Sequence, residues 1–495
     1  MAHDAREPPL ASSSIPIIGH AIGLARRSFE YYVDLSKQTN APIVTVSLPG
    51  QKMYVVTKPD LIQQAQKQHR TLAFPPIAAK FATTVVGLSK EAQVILADNV
   101  NGDDGDHGLS METYTAMRVA LKPGPELDDM NRAMLAEINK MLHQLSAETG
   151  TKLSLYAWLQ DSLTVATTRA IYGPMNPFED KEIADAFWDF EEGLMSIVIG
   201  FLPSLTARKP VAARNKAVRA FQEYYKNGGI EQASAYAKSR YEVEVSNKFP
   251  PEDIARSSVG GTIALLVNTV PGVFWTMLHI FSYTGLLQQV RAEIDACTRT
   301  SDPVSDGDNV TNTIDVATLK ENCPLLLSTY HEVLRYRTIG SSVREVREDT
   351  ELGPFLLKKG AMLQMPARVI HTDASCWGNT DFNPSRFLPE EKKSRPGDIC
   401  FRAFGGGKTL CPGRHFATNE ILAVVALFIA RFDVKEPTGG WKMPTTTKTN
   451  VAAAAMGPDN DVDIEFMTRE GFKGISWAVK LEASDKIFSI VSEDL

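Results

Sequence analysis

The chain has 495 residues, 43% of them apolar and 22% charged, with a net charge of −7. That composition excludes a disordered chain and leaves room for one large domain or several of about 100–200 residues each. The acidic balance argues against a nucleic-acid partner, and five cysteines with no CxxC pair argue against a disulfide framework or a zinc site.

The opening REPPLASSSIPIIGH holds Pro8, Pro9 and Pro16, which oppose helix. Residues 1–21 read as a proline-rich lead-in or hinge ahead of a single large domain over 22–495, a disordered terminus being the other reading. No apolar run there is long enough for a signal peptide or membrane anchor. APIVTVSLPGQKMYVVTKPDLIQQA then predicts two strands around Pro49-Gly50, followed by a helix. From about Met111 to Ala296 the periodicity is helical, with proline and glycine breaks at 122–129, 172–180 and 247–253. Thr262–Phe281 has nearly the length of a membrane span but carries Asn268, Thr269 and Pro271 at its centre, so it reads as a buried core helix. Gly340–Pro366 alternates strand and turn signals. ATNEILAVVALFIARF, after Cys411, is apolar nearly all round and reads as a buried helix, and GFKGISWAVKLE as a strand. The fold class is mainly α with small β-sheets.

FRAFGGGKTLCPGRHF (401–416) offers two chemistries. A phosphate loop needs G-x-x-x-x-G-K-[ST] after a buried strand, but Arg402 stands where the first glycine belongs, and no such strand precedes it. The metal reading uses more residues. Phe404, Gly407, Cys411 and Gly413 stand in the spacing F-x-x-G-x-x-x-C-x-G, where glycines let backbone approach a flat ligand. Pro412 suits a first helical turn, so the Cys411 thiolate meets the positive end of the helix that follows. A cysteine presented this way is the arrangement axial haem ligation requires. The bland alternative is a buried structural cysteine in a glycine-rich turn.

On these residues the chain resembles the cytochrome P-450 superfamily of haem-thiolate monooxygenases. The resemblance implies the cytochrome P-450 fold and a haem b whose iron takes Cys411 as ligand. YHEVLRYR carries Glu332 and Arg335 one helical turn apart, and FNPSRF supplies Arg386. The resemblance assigns these three to a buried Glu–Arg–Arg network that holds the segment leading to the cysteine.

Family members that split dioxygen usually place an acid and then a threonine at a distortion in the helix over the haem. Here GGTIALLVNTVPGVFW has no acid; Val267-Asn268 aligns with that pair, and Thr269 is the rival for the alcohol position. Pro271 lacks an N–H, so the Val267 carbonyl loses its helical partner and the helix opens beside Asn268. Thr409 stands where many members carry an arginine, a second departure. Both resemble the subgroup of bile-acid-type sterol hydroxylases and prostacyclin synthase, in a fungal natural-product member.

Arg344, and secondarily Arg118, are the expected cations for the haem propionates, with a solvated arginine the alternative reading of each. The substrate would meet 107–118, 190–205, Val267–Pro271 and 450–461, largely apolar segments that suit a sterol, terpenoid or polyketide-like molecule. The leading expectation is hydroxylation with dioxygen and electrons from an NADPH-dependent cytochrome P-450 reductase. The alternatives are an isomerase or dehydratase acting on a peroxide without external electrons, and a non-catalytic haem-binding protein. The lead-in resembles the hinge after a membrane anchor. The expected location is therefore the cytosolic face of the endoplasmic reticulum for a truncated chain, and the cytoplasm otherwise.

Overall fold

Strands β1 (Ile43–Leu48) and β2 (Gln51–Val56) pair antiparallel across the Pro49-Gly50 turn, Ile43 opposite Val56. Alternate residues serve two faces: Ile43, Tyr54 and Val56 join one apolar cluster, while Val44, Val46, Met53 and Val55 join another. The computed structural model describes residues 3–13, 15, 18–148, 150–199, 206–301, 310–482 and 490–491. Pro16 of the lead-in and residues 200–205 of the apolar stretch at 190–205 lie outside them.

The described part of the lead-in lies on this sheet. Thr45 N donates to Pro9 O and Ala11 N to Thr45 O, both at 2.8 Å. Buried Glu7 accepts from Lys52 Nζ at 2.7 Å and from the Tyr54 hydroxyl at 2.5 Å. The sheet continues through β3 (Leu72–Ala73), β4 (Ser341–Val346) and β5 (Met362–Pro366), in the order β1-β2-β5-β4-β3. β5 runs parallel to β2 and antiparallel to β4, with Arg344 opposite Leu363.

Most of the remainder is helix. α1 (Leu109–Leu121) is followed by α2 (Pro125–Ser146), which starts with Pro125 and an acidic first turn. α2 buries Leu127, Met130, Met134, Leu135, Ile138, Leu142 and Leu145 at three- and four-residue steps. α3 (Leu155–Tyr172) packs beside it. The long apolar stretch forms α4 (Pro251–Leu266) and α5 (Thr269–Ser282), and α5 is buried from Thr269 to Phe281. Residues 251–282 are the one stretch among the described residues apolar and long enough to cross a membrane, and most of it is packed inside the protein. α6 (Pro324–Arg337) and α7 (Arg414–Arg431) complete the centre, α7 being buried at all but Arg414 and Ala417. Small sheets, such as Ser476–Lys480 paired with Thr311–Asp315, sit at the margins.

Candidate active site

The Cys411 loop is tied down at both ends. Cys411 N donates to Phe404 O at 3.0 Å, closing the glycine-rich turn. Within it Gly405 and Gly407 have φ of 78° and 62°, left-handed conformations that resist side chains. A side-chain carbon at Gly413 would meet nothing within 4 Å, so open space lies beside the residue that caps α7. Burial pushes the Cys411 thiol up; the backbone N–H groups of Gly413 and Arg414 and the Arg414 charge work the other way. Cys411 is half-buried. These features fit a flat ligand carrying a metal that takes a thiolate.

Arg344 lies on β4 with its guanidinium almost wholly buried. It donates to Thr409 Oγ1 at 2.6 Å and to Val343 O at 2.8 Å, and it lies 5.5 Å from the centre of the Phe74 ring. Desolvation and the nearby Arg402 charge bring Arg344 down to about 10. Among the described residues no carboxylate pairs with Arg344. A buried cation with neutral partners is costly until an anion joins it, which suits the propionates of a haem. Arg402, also buried, enters this charge group, although in the sequence it only spoiled a phosphate-loop match.

Arg118 is exposed, its guanidinium 5.7 Å from the Tyr114 ring centre. Tyr114 is the residue that sequence reasoning missed. Its hydroxyl donates to Lys408 O, and Arg118, Cys411, Arg344 and Arg414 all act electrostatically on it. The spacing Tyr114-x-x-x-Arg118, one face of α1, was the available signal.

Glu332, Arg335 and Arg386 meet. Glu332 has no solvent exposure and accepts from Arg335 Nε at 2.7 Å, Arg335 Nη2 at 2.6 Å and Arg386 Nε at 3.0 Å. Asn383 N adds a fourth bond at 2.9 Å. The arginines reach onward to carbonyls of the chain between His371 and Asp381, beyond β5: Arg335 to His371 O and Thr380 O, Arg386 to Asn379 O and Asp381 O. His371 Nε2 in turn accepts from Arg402 N at 2.8 Å, which carries the network into the strand of chain entering the cysteine loop.

The helix breaks at Val267-Asn268, α4 ending before and α5 starting after them. Asn268 Oδ1 accepts from Ala454 N at 2.8 Å and Ala455 N at 3.1 Å. Two backbone donors identify that atom as oxygen, so the amide can offer only N–H groups elsewhere. Thr269 Oγ1 donates back to Leu265 O at 2.9 Å, which commits its proton inside the helix. Ala454 O accepts from Ile339 N and Gly340 N at 2.8 and 3.1 Å, so the break, residues 453–456 and the start of β4 are one connected unit.

Beside this unit a cleft of about 750 Å³ opens between α3, the helix Lys181–Glu192 and residues 448–459. Its floor is apolar, made by Val267, Pro271, Ala453 and Ala455, while its rim is charged in both senses: Asp185 pairs with Lys181 at 2.6 Å and Asp189 with Lys209 at 2.8 Å, with Glu192 and Lys448 also on the lining. Parts of the three segments expected at the substrate from 190 onward thus meet here, but the lining is mixed rather than largely apolar. The outer face of the helix Lys181–Glu192 and the chain at 448–459 bring charged residues to the mouth, which no single segment reveals.

A family model described as cytochrome P-450 matches residues 8–460. A cytochrome P-450 monooxygenase of Hypoxylon pulicicidum is 35% identical over 99% of this chain and 95% of its own. A cytochrome P-450 of type 7B1 from Mus musculus is 23% identical over 87% and 85%. Cholesterol 7-alpha-monooxygenase of Cricetulus griseus is 20% identical over 93% and 94%.

Proposed function

The chain belongs to the cytochrome P-450 family and is an oxidoreductase of the monooxygenase type. On that premise we propose that Cys411 is the axial thiolate of a haem b, used to hydroxylate a hydrophobic natural product of the sterol, terpenoid or polyketide-like class. The observation that carries this reading is the Cys411 thiol at the start of α7, addressed by two backbone N–H groups, two residues past Thr409, which accepts from buried Arg344. The haem, when bound, supplies the iron at which dioxygen is reduced and one oxygen atom is delivered to the substrate.

The chain's own residues do the rest. The N–H groups of Gly413 and Arg414 stabilise negative charge on the Cys411 sulfur. Arg344 would pair with one propionate, and exposed Arg118 would serve as a second, weaker cation. Glu332, Arg335 and Arg386 hold the approach to the loop. Asn268 has no proton that titrates near neutrality, so it orients rather than relays: its N–H groups bind a water or a substrate oxygen while its carbonyl holds 454–455 in place. The cleft's apolar floor and charged rim suit an apolar skeleton bearing hydroxyl groups. An NADPH-dependent reductase as electron source belongs to the same reading, supported by family membership.

The test is the carbon monoxide difference spectrum of the reduced protein. The thiolate band is expected in the native protein and absent from Cys411→Ala, and turnover is expected to need NADPH and reductase. A thiolate band that survives Cys411→Ala, or turnover of a hydroperoxide without reductant, would overturn the reading.

A further inference from the structure

Four of the five cysteines stand in two close pairs. Cys297 and Cys323 have sulfurs 3.6 Å apart, and Cys376 and Cys400 have sulfurs 3.1 Å apart. The pairs differ in access. Cys297 and Cys323 are both buried, whereas Cys376 is half-buried at the edge of the short helix Ala374–Trp377. Its partner Cys400 is buried in the turn Asp398–Cys400. From 3.1 Å the two sulfurs need to approach by about 1 Å to reach covalent distance, a movement within reach of side-chain rotation in a turn and a single-turn helix.

We propose that Cys376 and Cys400 are an oxidation site: a dithiol that closes to an intramolecular disulfide on reaction with hydrogen peroxide. The Cys376 sulfur, as thiolate, attacks one peroxide oxygen; the O–O bond breaks, leaving a sulfenic acid on Cys376 and a hydroxide that takes up a proton. The Cys400 sulfur then attacks the Cys376 sulfur, forming the S–S bond and expelling the sulfenic oxygen as water. Two thiols and one hydrogen peroxide give one disulfide and two waters.

The surroundings assign these roles. The Cys400 S–H donates to the Cys376 sulfur, and that contact, with the nearby Lys58 charge, favours Cys376 as the thiolate against burial and Asp373. In the other pair burial pushes the Cys323 thiol up, so it stays protonated. Oxidation would also join two parts of the network beneath the cysteine loop. Trp377, next to Cys376, gives its carbonyl to Arg386, and Arg402, two residues past Cys400, donates its N–H to His371. A disulfide here ties the loop anchored by Glu332 to the chain entering Cys411.

The experiment titrates the reduced full-length protein with hydrogen peroxide, alkylates the remaining thiols, and maps peptides by mass without reduction. A peptide pair joined through Cys376 and Cys400 is expected, with Cys297 and Cys323 recovered alkylated after denaturation. In Cys400→Ser the reaction should stop at Cys376 sulfenic acid, trapped by dimedone. In the native fold Cys376 should alkylate at least about tenfold faster than Cys297 or Cys323. Recovery of Cys376 as a free thiol or as sulfinic acid in the native sequence would overturn the proposal, as would a disulfide between Cys297 and Cys323 instead. The readout is thiol chemistry, so it stands or falls separately from the haem assignment.

Discussion

Replacing Glu332 by alanine is the sharpest perturbation of the site's foundation. The carboxylate receives three guanidinium bonds between 2.6 and 3.0 Å and one backbone bond at 2.9 Å, with no exposure to water. Its removal leaves the Arg335 guanidinium, 1% exposed, with carbonyl partners and no counter-charge. Breaking a buried ion pair in this one-sided way costs about 3–5 kcal/mol. That is a large part of a total stability of about 5–15 kcal/mol, and it corresponds to a shift of roughly 150- to 4,000-fold in the folding equilibrium. Arg386→Ala should cost less, because that side chain is 12% exposed and Glu332 keeps Arg335. The assay is a denaturant titration followed by circular dichroism, together with the ratio of bound haem to protein. Glu332→Ala should lower both the midpoint and the haem ratio. An unchanged midpoint with full haem content, or a larger loss in Arg386→Ala, would refute the reasoning.

Asn268→Leu should free residues 453–456 by removing the acceptor for Ala454 N and Ala455 N, at a cost of about 1–3 kcal/mol, while Asn268→Asp keeps that acceptor. Product distribution should therefore change in the leucine variant, and rate more than distribution in the aspartate variant; identical profiles for the two would dismiss the loop-holding role. Acid should destabilise the protein through its buried histidines. His331 is pushed down to about 4, by burial first and then by the Arg395 charge, and His371 is lowered well below its usual value in the same way. Since the unfolded ring takes its proton near 6.5, the unfolded state binds the proton first on acidification. The stability from neutral His331 is complete above about pH 6.5 and is lost as pH falls to about 4, amounting to about 3 kcal/mol. Denaturation midpoints between pH 7 and 4.5 should follow this slope and flatten in His331→Gln; an equal slope in that variant would count against it.

Much of the architecture follows from local pattern. The strand pair at Ile43–Val56, the helix beginning after Cys411 and the interruption near Pro271 all follow from periodicity, turn residues and a missing N–H, which act over a few residues. The spacing from Phe404 to Gly413 likewise confines one loop, and so was legible as a candidate haem site. Other features come from long-range convergence. Asn268 looks in sequence like a stand-in for a proton relay, yet its oxygen is taken up by two backbone donors more than 180 residues away. Tyr114, Arg344 and Arg402 carry no shared motif and become one charge group only when α1 and β4 close on the cysteine loop. The thiol pair at Cys376 and Cys400 is of the same kind, two unremarkable positions 24 residues apart. The sequence alone determined the elements and the residue that presents its sulfur, because hydrophobic period and backbone restriction are local forces. Tertiary structure decided which charges are buried together, which amide face is left to donate and which sulfurs touch, because desolvation and hydrogen-bond satisfaction depend on neighbours that only packing supplies.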